Sequence, residues 1–143
     1  MFDNKNVSTL NSLIATTLDS VDGYRKAAEE ANAAQFRDIF LSRANERQTI
    51  VTGFQAKVRE LGGNPEDDGT VLASAHRAFL GLRDALTGDR DDAAVVAEVE
   101  RGEDHIKAKF ESALKDGDLD PAVQQLIQTS FASVREGHDQ MSA

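Results

Sequence analysis

The sequence contains no cysteine and only two prolines, Pro65 and Pro121, in 143 residues. Without cysteine, disulfides, zinc–thiolate sites and thiol nucleophiles are excluded. Positive charge is also scarce: 16 Lys and Arg stand against 25 Asp and Glu, a formal net charge of −9, and the cations are scattered singly. Binding to nucleic acid or to an anionic membrane needs a clustered positive face, so neither partner is expected. No apolar run approaches the roughly 20 residues that span a bilayer. The start, MFDNKNVSTLNSLIATTLDS, lacks the basic stretch and apolar block of a secretory signal, and the expected compartment is the cytoplasm. Hydrophobic residues make up 40%, slightly low for a globular domain but far from a disordered composition. The length fits one domain over residues 1–143, with a core large enough to need no covalent staples.

What the sequence does hold is a helical period. Apolar residues recur at three- and four-residue spacing, and no alternating run interrupts them. The spacing predicts five helices, at about Val7–Ala31, Ala34–Leu61, a shorter Val71–Thr87, Asp92–Asp116 and Pro121–Met141. Their breaks carry punctuation. In LGGNPEDDGT, residues 61–70, glycine falls just past a helix end with proline shortly after. In KDGDLDPAV, residues 115–123, Asp120 is placed as an N-cap and Pro121 at the first helical position. LTGDRDDA, residues 86–93, is a third break, and the break near Asn32 has the weakest signal.

At roughly 1.5 Å per residue the long helices span about 30–40 Å and the short one about 25 Å. Two short-loop hairpins joined by a connection of that reach define an all-α, ferritin-like four-helix bundle, with a shorter crossover helix between the second and third bundle helices. In it the Ala34–Leu61 and Asp92–Asp116 helices run parallel, so positions equally far from their starts share a level.

Four stretches, LNSLIATTLDSVDGYRKAAEEA, HRAFLGL, ERGED and EGHDQM, follow one another along nearly the whole chain. In that order they resemble a small bacterial family of ferritin-like four-helix-bundle proteins known as a domain of unknown function. The resemblance implies the fold and brings no activity with it. Members of the wider ferritin-like superfamily bind two irons and handle oxygen or store iron, an expectation that passes to this chain only with the ligands.

Those ligands would be a Glu from each of two helices and a Glu-x-x-His from each of the other two, because residues three apart share a helix face. The three histidines, His76, His105 and His138, are preceded at that spacing by Ala73, Gly102 and Arg135, so the motif is absent. A partial polar layer remains. In EVERGEDHIKAKFESAL, residues 98–114, Glu103 stands on the apolar stripe with Glu100 one turn earlier. Glu46 lies about twelve residues into its helix and Glu103 about eleven into its own, at one level. Arg43 and Arg47 fall at that level too, and inward Glu–Arg pairs would satisfy both charges without metal. Ion pairing with Arg43 and Arg47 is the reading adopted. The alternative is an iron or manganese site built from Glu46, Glu100, Glu103 and His138.

Further candidates have plainer readings. His138–Asp139 suits a helix end, His76–Arg77 would anchor the crossover helix, and Tyr24, the sole tyrosine, suits core packing better than a radical or proton relay. Gly102 in mid-helix suggests close approach of another backbone. With Ala75, Ala78 and Gly81 it marks a surface for a homodimer or another protein partner. No nucleophile turn or glycine-rich phosphate loop is present. The expected function is a small soluble bundle without catalysis of its own, in binding or as a stress-related structural protein. A non-haem metal protein with oxidase or iron-handling activity is the alternative.

Overall fold

The computed structural model describes residues 2–66, 92–115, 117 and 119–142. Among the described residues there are four helices and no strand: α1 (Phe2–Glu30), α2 (Ala34–Glu60), α3 (Asp92–Leu114) and α4 (Pro121–Ser142). The expected crossover helix at Val71–Thr87, with His76, Arg77, Ala75, Ala78 and Gly81, lies outside the described residues. No described helix is long and apolar enough to cross a membrane.

Helix α1 begins at Phe2, five residues before the predicted Val7. Its polar start carries no apolar period, yet Asn6 is buried and its Oδ1 accepts the Asp120 N–H at 3.0 Å. That contact ties the first turns of α1 to the loop before α4, and tertiary anchoring extends a helix where pattern alone is silent. The N-cap of α2, Ala33, has no side-chain cap of its own. Arg37 reaches back instead, its Nη1 donating to the carbonyls of Ala31 and Asn32 at 3.2 and 3.1 Å.

The other punctuation behaves as its chemistry requires. Gly62 adopts φ 83°, and the Gly62 and Gly63 N–H groups donate to the Arg59 and Val58 carbonyls at 3.0 and 2.9 Å. This is a Schellman stop, which a residue with a Cβ enters only under strain. The chain beyond it is clamped by Asn11, whose amide donates to the Asn64 carbonyl at 3.0 Å and whose Oδ1 accepts the Glu66 N–H at 2.8 Å. At the start of α4, Asp120 Oδ1 accepts the Ala122 N–H at 2.9 Å.

Two apolar clusters fill the interior. One end holds Leu10, Ile14, Phe54, Val58, Phe110 and Val123 among others. The opposite end holds Tyr24, Ala28, Phe40, Ala44, Val95 and Val99. The starts of α2 and α3 thus meet at one end and their later halves at the other, so the two helices run parallel, as the crossover topology demands. α1 packs on both α2 and α3, and α3 on α4, while α2 and α4 touch most sparingly of these neighbours. α2 and α3 face each other across the diagonal.

Candidate functional site

A polar layer separates the two clusters, and all four helices build it. Arg47 of α2 is 0% exposed and Glu103 of α3 1%, so both charges are wholly withdrawn from water. Such charges persist only when paired. Arg47 Nη2 donates to Glu103 Oε2 at 2.8 Å, across the bundle diagonal. The other carboxylate oxygen, Oε1, accepts the Tyr24 hydroxyl at 2.5 Å. Arg47 Nη1 donates to Ser20 Oγ at 2.8 Å, and its guanidinium carbon lies 5.6 Å from the centre of the Tyr24 ring, within range of a cation–π attraction. Tyr24 and Ser20 are four apart on α1 and therefore present one face.

A second pair flanks the first. Arg43 Nη1 donates to both oxygens of Glu46, at 2.9 Å each, and Ser133 of α4 donates its hydroxyl to Glu46 Oε1. Gly137, one turn beyond Ser133, provides the room. A Cβ built there would lie 2.5 Å from Arg47 Nη2 and 3.1 Å from both Cδ and Nε of Arg43. The two arginines lie against the bare backbone of α4.

The expected residues are only partly brought together. Glu103 and Arg47 pair, as the sequence level implied. Arg43 pairs with Glu46 on its own helix rather than with Glu100, which is half-buried and joins neither arginine. His138 turns away from the layer: its Nε2 lies 2.6 Å from Asp104 Oδ1 and its Nδ1 3.5 Å from Asp139 Oδ1. Among the described residues no group of three or more His, Asp and Glu side chains is placed to hold a metal ion. Gly102 is exposed, and among the described residues a Cβ there would meet nothing within 4 Å, so no described helix makes the close approach expected at it. One residue before Glu103 is about 100° around the helix, so Gly102 points outward.

Four residues of the layer were missed: Tyr24 as a hydrogen-bond donor, Ser20, Ser133 and Gly137. Val134 is buried, and both i+3 and i+4 continue its stripe. His138 was chosen where Gly137 takes the interior place.

Burial first, and then the Glu103 carboxylate, hold the Tyr24 phenol well above its ordinary value, with Arg47 and Arg43 pulling weakly the other way. In the unfolded chain it ionises near pH 10. A group whose native pKa is raised contributes stability that is full below the unfolded value and lost as pH rises toward the native one. Tyr24 is the only tyrosine and there is no tryptophan or cysteine, so near-ultraviolet tyrosinate absorbance reports it alone. That absorbance should emerge only with alkaline unfolding, and Tyr24→Phe should remove part of the stability loss above about pH 10. A native phenol titrating at the free value would contradict the buried bond.

Helix order, parallel α2 and α3, and an interior charge layer define a ferritin-like four-helix bundle whose centre holds a buried arginine–carboxylate–tyrosine cluster. The family described as a domain of unknown function (DUF2383) matches residues 5–116, and the chain belongs to it. Solved structures share the architecture at low identity. DpsC from Streptomyces coelicolor aligns with a TM-score of 0.76 at 15% identity, over 96% of this chain and 81% of that one. YcfI from Rhodopseudomonas palustris, described as a candidate structural protein, aligns at 0.77 and 14%, over 100% and 94%. Dps from Thermosynechococcus elongatus aligns at 0.74 and 13%, over 99% and 90%. No protein of curated function matches the sequence.

Proposed function

We propose that this chain is a structural bundle protein without catalysis of its own, acting by association with protein partners, other copies of itself included. Its interior layer closes on arginine rather than on iron or manganese. The observation that carries this reading is that both oxygens of Glu103 are engaged, one by Tyr24 and one by Arg47. The Arg47 guanidinium already supplies the interior positive charge a metal ion would bring, and it repels a dication approaching Glu103 or Glu46. The description of YcfI, a similar bundle, as a candidate structural protein supports the same reading.

Purified from medium supplemented with iron and manganese, the protein should carry less than about 0.1 metal per chain and melt at the same temperature with or without added metal, because a specific ligand of the native state raises the melting point. Its light-scattering mass at micromolar concentration should exceed that of one chain. Stoichiometric metal with a metal-dependent rise in melting temperature would overturn the arginine-closed reading. A single-chain mass would remove self-association.

A further inference from the structure

The groups around Arg47 are those a receptor for a planar cation would present. A carboxylate oxygen lies at 2.8 Å, a serine hydroxyl at 2.8 Å, and an aromatic face 5.6 Å from the guanidinium carbon. The missing side chain of Gly137 leaves the room on the fourth side. These contacts grip the guanidinium end, while Arg47 Nε is buried with no hydrogen-bond partner among the described residues. The recognition thus resides in the pocket wall and in the planar head, and the tether to α2 is not what satisfies it.

We infer that the bundle centre is a binding site for a small alkylguanidinium ion, filled in the native chain by the protein's own Arg47 and opened to free ligand when that side chain is removed. The inference rests on the arginine-closed reading of the layer. A guanidinium suits the site better than an ammonium, because its flat fork can donate to Glu103 and Ser20 at once while stacking on Tyr24. Among the described residues Glu103 is the one carboxylate bonded to the Arg47 guanidinium, so a divalent ion in its place would find few anionic ligands. The route in is the seam between α2 and α4, the most sparing of the neighbouring-helix contacts among the described residues, where Glu46 keeps 39% of its side chain exposed and Gly137 offers no Cβ.

The test uses Arg47→Ala, which removes the ethylguanidinium portion of the side chain. Millimolar ethylguanidinium should raise the melting temperature of this variant saturably, on the order of 5 °C, as a ligand of the native state alone must. Ethylammonium and sodium chloride at the same concentration should not, and the wild-type protein should not respond. Adding Glu103→Gln to the variant should abolish the rise. If Arg47→Ala alone does not fold, helical circular dichroism regained on adding ethylguanidinium becomes the readout. No saturable rise or regained helicity, an equal effect in the Glu103→Gln double variant, or a response to manganese in place of ethylguanidinium overturns the proposal. Metal content of the wild-type protein is measured separately, so failure of the receptor and failure of the arginine-closed reading are distinguished.

Discussion

Glu103→Gln should destabilise the protein by about 3–5 kcal/mol, one of the two largest single-residue effects expected for it. The change is nearly isosteric, so packing is kept and the amide carbonyl still accepts the Tyr24 hydroxyl. What is lost is the charge opposite Arg47, whose guanidinium is 0% exposed and cannot reach water without opening the bundle. An uncompensated buried cation is costly, whereas a pair replaced by apolar groups of similar volume is often neutral or better. Arg47→Met added to Glu103→Gln should therefore return most of the stability. Urea unfolding of the four species closes a double-mutant cycle in which the coupling is large. In a chain of this length the single variant should melt on the order of 10 °C lower. A loss under about 1 kcal/mol would place water beside Glu103, contrary to its burial.

Gly137→Ala should cost about 1–3 kcal/mol, against the usual sign for this substitution. In an exposed helix interior alanine gains about 1 kcal/mol over glycine. At Gly137 the new methyl would stand 2.5 Å from Arg47 Nη2. The end of an arginine is ordinarily free to move aside, but this one is held by Glu103 and Ser20. Relief would break those bonds or push α4 outward. Gly102→Ala provides the contrast: among the described residues its Cβ would meet nothing within 4 Å, so it should gain about 0.5–1 kcal/mol. Unfolding curves of the two variants should move in opposite directions, and movement of both toward greater stability would show that the arginines yield.

These contrasts also show where the sequence was readable. The helix order and the parallel run of α2 and α3 followed from period, punctuation and segment length, which are local quantities. Glu103 was visible because a carboxylate on an apolar stripe conflicts with its neighbours, and Arg47 because it falls at the same level. The start of α1 was not visible, since Asn6 is fixed by a bond to Asp120, which is remote in sequence. Gly102 and Gly137 look alike as mid-helix glycines. Only the facing helices decide that one borders solvent and the other two guanidiniums. Tyr24 was read as packing because its stripe position predicts burial, while its hydroxyl's partner lies on α3. Rotation of a helix by a fraction of a turn, invisible in sequence spacing, chose Gly137 over His138 for the interior.

Asn11 has an evolutionary corollary. Its amide satisfies the Asn64 carbonyl and the Glu66 N–H, both main-chain groups. Nothing in those two bonds reads a side chain, so the identities at 64 and 66 are free to drift while Asn11 is not. Length is constrained in the opposite way, since one inserted or deleted residue would carry both main-chain groups out of reach. Among relatives, this turn should vary in letters and stay constant in spacing.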